Sequence, residues 1–240
     1  MAIFPGSAIP SAVSDYEIEN SLRFDDGDSS KLSRTPSAAS NRKTWTVSLW
    51  MKRGNLGTPN KTFFSASDFQ IYWYQDKLKV YVTAGVVLET TAVYRDPSAW
   101  YHVVLAQDTT QGVAADRTKL YVNGEQVTAF GTSSYPAEDA EWEVNNTVAH
   151  NISSVAVHGE YYDGYVAETY FIDGTALAAD SFGELDSTTN QWKPLDSDDV
   201  KDAVTFGVNG FYQKYNSTEL ANSFTDSSEA TKFTPSTNLT

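Results

Sequence analysis

The sequence predicts an all-β protein, and three observations carry that prediction. The chain contains 14 Tyr, 12 Phe and 6 Trp, while no long segment rich in Ala, Leu, Glu and Lys keeps a helical period. Residues 100–105 (WYHVVL) place apolar side chains on both faces, which is typical of a central strand covered on both sides. Asn123 and Gly124 end the next β-rich segment, and because both accept positive φ they predict a tight hairpin.

The N-terminal part of the pattern predicts a first strand within 16–24 and a short edge strand within 31–35. An acidic turn at 25–28 (DDGD) lies between them and offers carboxylate oxygens that could bind calcium. Its spacing does not match the helix-loop-helix calcium site, so a solvated turn without metal is the favoured interpretation. We therefore predict no metal site and no cofactor, with calcium kept as the alternative.

Clean alternation marks the next strand. In residues 44–51, one face carries the side chains of Trp45, Val47, Leu49 and Met51. We assign this face to the core. Residues 62–65, 69–74 and 78–82 also have strand character, and the short polar connection at 75–77 predicts a hairpin between the last two.

This hairpin carries the first candidate ligand site. If Phe69, Ile71 and Trp73 face the core, then the opposite face is shared by Tyr72, Tyr74 and Tyr81. Aromatic rings stack on sugar rings, and their hydroxyl groups can bond to sugar oxygens, so a glycan-binding platform is one hypothesis. Cross-strand aromatic packing, or cover by a loop or a second subunit, is the favoured alternative, and it applies equally to Trp50.

A polar loop at 130–146 carries the second candidate, Trp142, among acidic residues. A long loop with a central aromatic side chain often recognises a ligand, so we add Trp142 to the predicted glycan-binding residues. The alternative is that Trp142 only pins the loop to the sandwich.

The remaining segments complete a main body and its appendages. Residues 151–157 and 161–172 are the last predicted strands, and 176–185 could form one short helix capped by Asp180. We divide the chain into an arm at 1–15, a β-sandwich at 16–185, and a segment at 186–240 that comprises an extension packed on the sandwich and a C-terminal tail. The aromatic side chains of the extension are expected to supply the docking contacts.

Charge and composition exclude several classes of function. A net charge of -14 repels phosphate backbones, so nucleic acid is not an expected partner. The absence of cysteine excludes disulfides and thiolate metal sites. No apolar run is long enough to cross a bilayer, and the first residues have neither the basic nor the apolar region of a secretory leader, so we expect neither a membrane partner nor a signal peptide.

Five pieces of sequence, in order over about residues 20–185, resemble the laminin-G-like or concanavalin A-like lectin/glucanase superfamily. They are SLRFD at 21–25, WTVSLWMK at 45–52, WYHV at 100–103, LYVNG at 120–124 and YDGYVAE at 162–168. The resemblance implies a jelly-roll sandwich of two curved antiparallel sheets.

A narrower resemblance covers almost the whole chain and points to laminin-G-like virion proteins of marine bacteriophages, found in tail fibres or on the particle surface. It rests on LSRTP at 32–36, NRKTW at 41–45, FIDG at 171–174, SFGE at 181–184, QWKP at 191–194 and NGFY at 209–212. It implies a location on the virion surface, other virion proteins as partners, and a role in capsid decoration or in attachment to host-surface glycans. Because such assemblies are usually symmetric, we expect a homo-oligomer, a trimer by our guess, with 1–15 and 216–240 as contact arms.

Catalysis is not predicted, and no catalytic residue is assigned. The Glu-x-Asp-x-x-Glu arrangement that glucanases of the resembled superfamily carry on one strand does not occur in this sequence. The three histidines, His102, His150 and His158, lack the sequence motifs of metalloproteases or serine hydrolases, and His102 is expected to be a hydrogen-bonded core residue. A glycan-active enzyme and a non-viral carbohydrate-binding module stay open as alternatives.

Overall fold

The computed structural model of the protein describes residues 16–155, 159–215, 226–228 and 234–235. Within these ranges the strands are β1 Leu22–Phe24, β2 Leu32–Arg34, β3 Thr44–Arg53, β4 Lys61–Ala66, β5 Phe69–Tyr74, β6 Lys77–Val82, β7 Gly85–Thr90, β8 Trp100–Asp108, β9 Thr118–Val122, β10 Glu125–Gln126, β11 Phe130–Ser133, β12 His150–Ile152, β13 Ser154–Val155, β14 Glu160–Tyr161, β15 Gly164–Asp173, β16 Gly183–Leu185, β17 Trp192–Pro194, β18 Phe211–Gln213 and β19 Thr234–Pro235. One α-helix, α1 Ser197–Ala203, and two 3-10 helices, Ala114–Asp116 and Ala179–Ser181, complete the described elements. None of these helices is long and apolar enough to cross a membrane.

Two large antiparallel sheets form most of the described fold, which confirms the predicted all-β jelly-roll sandwich. Two further sheets have two strands each, β13-β14 and β16-β17. The seven-stranded sheet has the order β1-β15-β3-β8-β9-β10, with β18 also paired to β15. The eight-stranded sheet has the order β11-β7-β6-β5-β4-β12-β2-β19. The predicted central strand is β8, which lies between β3 and β9 in the first sheet.

The core lies between the two sheets and follows the alternation of the sequence. The predicted core face of β3 is confirmed, since Trp45, Val47, Leu49 and Met51 are at most 1% exposed and belong to one apolar cluster. The hairpin prediction is confirmed as well, because β5 and β6 pair around residues 75–76 and place Ile71 opposite Val80 in the same cluster. Period-two alternation therefore located the core of both sheets correctly.

Several boundaries differ from the prediction. The first strand begins only at Leu22, and β2 is not an edge strand, because it pairs with β12 on one side and with Thr234–Pro235 on the other. The short helix expected at 176–185 is wrong, since only Ala179–Ser181 forms a 3-10 turn before strand β16.

The α-helix instead begins in the acidic run after Asp196. The side chain of Asp196 accepts a hydrogen bond from the amide of Asp198, which satisfies one donor of the first turn. Asp198 and Asp199 in that turn also lie favourably at the positive end of the helix dipole.

The C-terminal extension covers part of the outer face of the seven-stranded sheet. A second apolar cluster joins Val104, Tyr170 and Ile172 of that face to Phe182 and to the extension residues Val200 and Tyr212. Burial of these side chains removes apolar surface from water and holds the extension in place.

Asp173, at the end of β15, anchors the extension at one point. Its carboxylate accepts hydrogen bonds from the amide of Asn209 (2.9 Å) and from the side-chain amide of Asn145 (2.9 Å). Arg34 donates to the carbonyl of Asn209 (2.6 Å), so four segments that are distant in sequence meet here. Gly210 fits because a Cβ at this position would lie 1.8 Å from the Phe206 carbonyl oxygen.

The predicted arm at 1–15 lies outside the described residues, as does most of the predicted tail at 216–240. The described part of that tail contacts the sandwich. Asp226 accepts a hydrogen bond from the amide of Tyr212 (3.0 Å), and Thr234–Pro235 pairs with β2.

Candidate functional site

The three tyrosines predicted from the hairpin lie on the outer face of the eight-stranded sheet. Tyr72 is only 6% exposed, and burial raises its pKa to about 12. Tyr74 and Tyr81 are half-buried, and the ammonium group of Lys79 lies 4.8 Å from the centre of the Tyr74 ring. Glycan binding by these residues stays a prediction, and little of the Tyr72 ring is accessible to a ligand.

Trp142 lies on the other side of the same sheet. Its ring stacks on Phe69, with centroids 5.4 Å apart, and lies 6.4 Å from Trp45, so it packs against the core. Arg42 donates a hydrogen bond to the Trp142 carbonyl (2.7 Å), which ties the loop down. Because Phe69 faces inward and the tyrosines face outward, Trp142 does not share a surface with them. Its contacts match the alternative in which it pins the loop, while its glycan-binding role stays a prediction.

A different aromatic surface is built on the outer face of the seven-stranded sheet, from Trp50 on β3, Trp100 on β8 and Trp192 on β17. Trp50 pairs across the strands with His102, and Trp100 pairs with Lys52 two residues further along. Trp100 is 38% exposed, whereas Trp50 is only 7% exposed. These tryptophans surround two cavities and form the most developed candidate ligand site.

His102 sets the arrangement of the aromatic surface. Its ring stacks on Trp50 with centroids 4.7 Å apart and accepts, at Nδ1, a hydrogen bond from the indole nitrogen of Trp192 (3.0 Å). Its other ring nitrogen lies 2.8 Å from the Ser48 hydroxyl. Burial lowers the pKa of His102 to about 3, so the ring is neutral, and Nε2, which carries the proton, donates to Ser48. His102 is therefore buried and hydrogen-bonded, as predicted, but it lies beside Trp50 and Trp192 on the outer face of the seven-stranded sheet and not between the two sheets. It positions these two rings and is not exposed to a ligand.

The Asn-Gly hairpin supports the same surface. The Asn123 side chain accepts a hydrogen bond from the His102 amide (2.8 Å). Gly124 has φ +84°, and a Cβ there would lie 2.3 Å from the Trp192 ring; a Cβ on Gly183 would lie 2.7 Å from the same ring. Trp192 is thus wedged between two glycines, which fixes the plane of its indole.

Two cavities open beside these rings. The first, of about 570 Å³, is bounded by residues 16–21 and by the hairpin region at 186–194. The second, of about 820 Å³, is bounded by 91–94 and by 122–129. Both volumes lie in the range of about 300–1,000 Å³ that is typical of small-molecule sites. Each cavity combines aromatic walls with hydrogen-bonding groups, which suits a ligand that is both apolar and rich in hydroxyl groups.

Glu168 holds one wall of the first cavity. It lies at a bulge of β15 with φ +43°, between the stretch paired to β1 and the stretch paired to β18. Its carboxylate accepts hydrogen bonds from Tyr170 (3.0 Å), Tyr212 (2.9 Å) and Tyr16. Burial raises the pKa of Glu168, while the three hydroxyl donors act in the opposite direction. Because Tyr16 begins the segment 16–21, this bond attaches the cavity wall to the sheet.

In the fold, the carboxylate of Asp163 lies beside the acidic turn at 25–28. Oxygens of Asp25, Asp26 and Asp163 lie within 4.8 Å of one another, the one such group found among the described residues. Arg23 pairs with Asp25 (3.0 Å) and with Asp163 (3.7 Å), and Lys61 pairs with Asp26. Two cations therefore already neutralise much of the charge, and the geometry alone does not assign a metal.

Sequence reasoning missed the tryptophan surface as a site. It considered Trp50 as an outward-facing aromatic residue and expected the aromatic side chains of the extension to dock on the sandwich. It did not predict that Trp100 or Trp192 binds a ligand. The available signal was the alternation of β3 and β8, which places Trp50, Trp100 and His102 on one outer face. No local pattern indicates that Trp192 lies beside them.

Comparison with known proteins gives the superfamily and the fold. A family model described as the concanavalin A-like lectin/glucanases superfamily matches residues 25–182. A SAP-like pentraxin from Limulus polyphemus shares 17% identity over 68% of this chain and 80% of its own, with a TM-score of 0.50. A candidate carbohydrate-binding protein from Bacteroides ovatus shares 16% identity over 66% of this chain and 44% of its own, with a TM-score of 0.48.

Domain 4 of an extracellular arabinanase from Geobacillus stearothermophilus, solved with arabinotriose, shares 18% identity over 59% of this chain and 66% of its own, with a TM-score of 0.42. With 44% of the Bacteroides protein covered, the chain spans less than half the length of that protein. Comparison with curated proteins gave no match. The matched family region ends at residue 182, so Trp192 and its hairpin lie beyond it.

Proposed function

Because the chain belongs to the concanavalin A-like lectin/glucanases superfamily, we propose that it is a non-enzymatic carbohydrate-binding protein whose ligand lies on the surface formed by Trp50, Trp100 and Trp192. The fold is that of lectins and glucanases, which is common to binding proteins and enzymes. The choice of surface and the choice of binding over catalysis rest on the side chains of this chain.

The exposed indole of Trp100 carries the proposal. It is 38% exposed and lines both cavities, so it offers an aromatic face to a ligand in either one. Trp50 and Trp192 are held by His102, which means that the neighbouring rings are already ordered before a ligand binds. A rigid aromatic surface loses little conformational entropy on binding and so favours affinity.

The surroundings of Glu168 favour binding over catalysis. A glycosidase needs two carboxyl groups directed at the scissile bond. Glu168 is 1% exposed, and both of its oxygens accept tyrosine hydroxyl groups instead of facing the cavity. In the alternative of a glycan-active enzyme, other carboxylates of the cavity wall, such as those of Glu17 and Glu19, would have to serve as the two catalytic groups.

We expect Trp100→Ala to weaken polysaccharide binding by roughly 10- to 100-fold, which corresponds to about 1.4–2.8 kcal/mol. Affinity electrophoresis and calorimetry with soluble polysaccharides, chosen after a glycan-array screen, measure the change. The matched control is the double variant Tyr74→Ala, Tyr81→Ala on the other sheet, which should bind like the wild type. The opposite pattern would assign the ligand to the tyrosine face. Wild-type protein should release no reducing sugar from the polymers that it binds, and release would support the enzyme.

The motifs that resemble bacteriophage virion proteins support a second part of the proposal, which concerns the location of the protein. We infer that the protein is on the surface of a bacteriophage virion, where it decorates the capsid or serves as a component of a tail fibre or adhesin that contacts host-surface glycans. The support is the resemblance of motifs such as FIDG at 171–174 and NGFY at 209–212 to virion proteins. In the fold these two motifs meet, since Asp173 binds the amide of Asn209.

Mass spectrometry of purified virions should detect this protein among the structural components, at a copy number that fits a symmetric assembly. Its absence from purified particles would overturn the virion assignment without touching the carbohydrate site. Light scattering of the isolated protein tests the guessed homotrimer, and a stable monomer would count against it.

A further inference from the structure

The two cavities form one continuous surface. Four residues line both of them: Trp50, Trp100, Gln191 and Trp192. A group bound in one cavity therefore contacts the same rings as a group bound in the other. Such an arrangement fits a ligand that crosses Trp100 and continues on both sides.

The walls on the two sides come from different parts of the chain. The segment 16–21 bounds only the first cavity, while 91–94 and 122–129 bound only the second. The shared rings stand between these walls. A single sugar unit would occupy one side, whereas a chain of linked sugars would use both.

The charges around the surface select against acidic ligands. Glu17, Glu19 and Asp186 line the first cavity, and Glu125 lines the second. Among the described residues that line the two cavities, the one cation is Lys193, which already pairs with Glu184 and Asp186 at 3.5 Å each. Hydrogen bonds from the backbone amides of Thr189 and Thr188 lower the pKa of Asp186 to about 2, so its carboxyl group is ionised at physiological pH. With a net charge of -14, the whole chain adds to the repulsion of anions.

We infer that the ligand is an uncharged polysaccharide, bound along an internal stretch of its chain across Trp100. This inference rests on the proposed carbohydrate site and adds the class and the length of the ligand. Terminal acidic sugars, uronic acid polymers and sulfated polymers are disfavoured.

The first test compares polymers. Neutral dextran, galactomannan and glucomannan are compared with anionic alginate, pectate and heparin by affinity electrophoresis at low and moderate salt. At least one neutral polymer should bind, and the anionic polymers should bind at least about tenfold more weakly. Tighter binding of an anionic polymer would overturn the charge argument alone. No binding to any polymer or to any glycan on an array would instead contradict the proposed function.

The second test uses fragments of the polymer that binds. Competition should improve by about tenfold or more from the monosaccharide to the hexasaccharide, because longer fragments reach both cavities. A monosaccharide that competes as well as the hexasaccharide would overturn the inference of chain-internal binding.

Blocking each side separately completes the design. Ser21 and Thr128 are exposed residues at opposite ends, so Ser21→Trp fills the first cavity and Thr128→Trp fills the second without disturbing the core. Each variant should lower the affinity for the hexasaccharide, and an effect of only one would indicate a ligand confined to that cavity. The variant Glu17→Gln, Glu19→Gln should raise the affinity for anionic polymers relative to the affinity for neutral polymers; an unchanged ratio of the two affinities would contradict the charge argument.

Discussion

Glu168→Ala should lower the free energy of unfolding by about 3–5 kcal/mol, because it removes the acceptor of three tyrosine hydroxyl groups. Tyr170 and Tyr212 are at most 1% exposed, and their donors would remain in the interior without this partner. An unsatisfied buried donor costs about 1–3 kcal/mol. Urea unfolding followed by tryptophan fluorescence measures the loss. The same variant should weaken carbohydrate binding, because Tyr16 would no longer attach the wall at 16–21 to the sheet.

Glu168→Gln is the matched control, since it keeps an acceptor oxygen and nearly the same volume. We expect it to cost about 1–2 kcal/mol, less than the alanine variant, because hydrogen bonds to a charged acceptor are the stronger ones. Both variants keep a side chain at the same left-handed backbone position, so backbone strain cancels in the comparison. Equal stability of the alanine variant and the wild type would show that the tyrosines find other partners.

Acid should destabilise the protein at pH values well above those at which the carboxyl groups with lowered pKa values titrate. Burial lowers the pKa of His102 to about 3 and that of His150 to about 4, whereas both titrate near 6.5 when the chain unfolds. Between these values the unfolded chain binds two protons that the folded chain does not. The free energy of unfolding therefore falls as pH drops below about 6.5, by about 1.4 kcal/mol per pH unit for each histidine. Urea unfolding at a series of pH values measures this slope.

His150→Gln separates this effect from other groups. His150 accepts a hydrogen bond from the Asn145 amide (2.9 Å) and donates to the Val148 carbonyl (2.9 Å), and glutamine can both accept and donate. The slope of the unfolding free energy against pH, between pH 6 and about 4.5, should decrease in the variant by the amount that corresponds to about one bound proton. Glu168, whose pKa burial raises, titrates in the opposite sense in both proteins and cancels. An unchanged slope would mean that His150 gains its proton equally in both states.

The strands and the core face were predictable because they depend on local periodicity. Side chains alternate across a strand, so Trp45, Val47 and Leu49 identify the inner face of β3 from the sequence alone. The Asn123-Gly124 turn was predictable for the same reason, because the backbone angles of two adjacent residues determine it. The helix at 176–185 failed because Phe182 is buried against Tyr170, and this tertiary contact outweighed a weak helical propensity.

The sequence by itself determined the all-β class, the paired strands, the core face, the acidic charge and the superfamily. Only the tertiary structure decided where a ligand could bind. Trp50, Trp100 and Trp192 lie far apart in the chain, as do Tyr16, Glu168 and Tyr212, and each set meets through contacts between distant segments. Alternation shows which side of a strand faces outward, but it does not show what packs on that side. For this protein the extension leaves Trp100 exposed there, between two cavities lined by carboxylates.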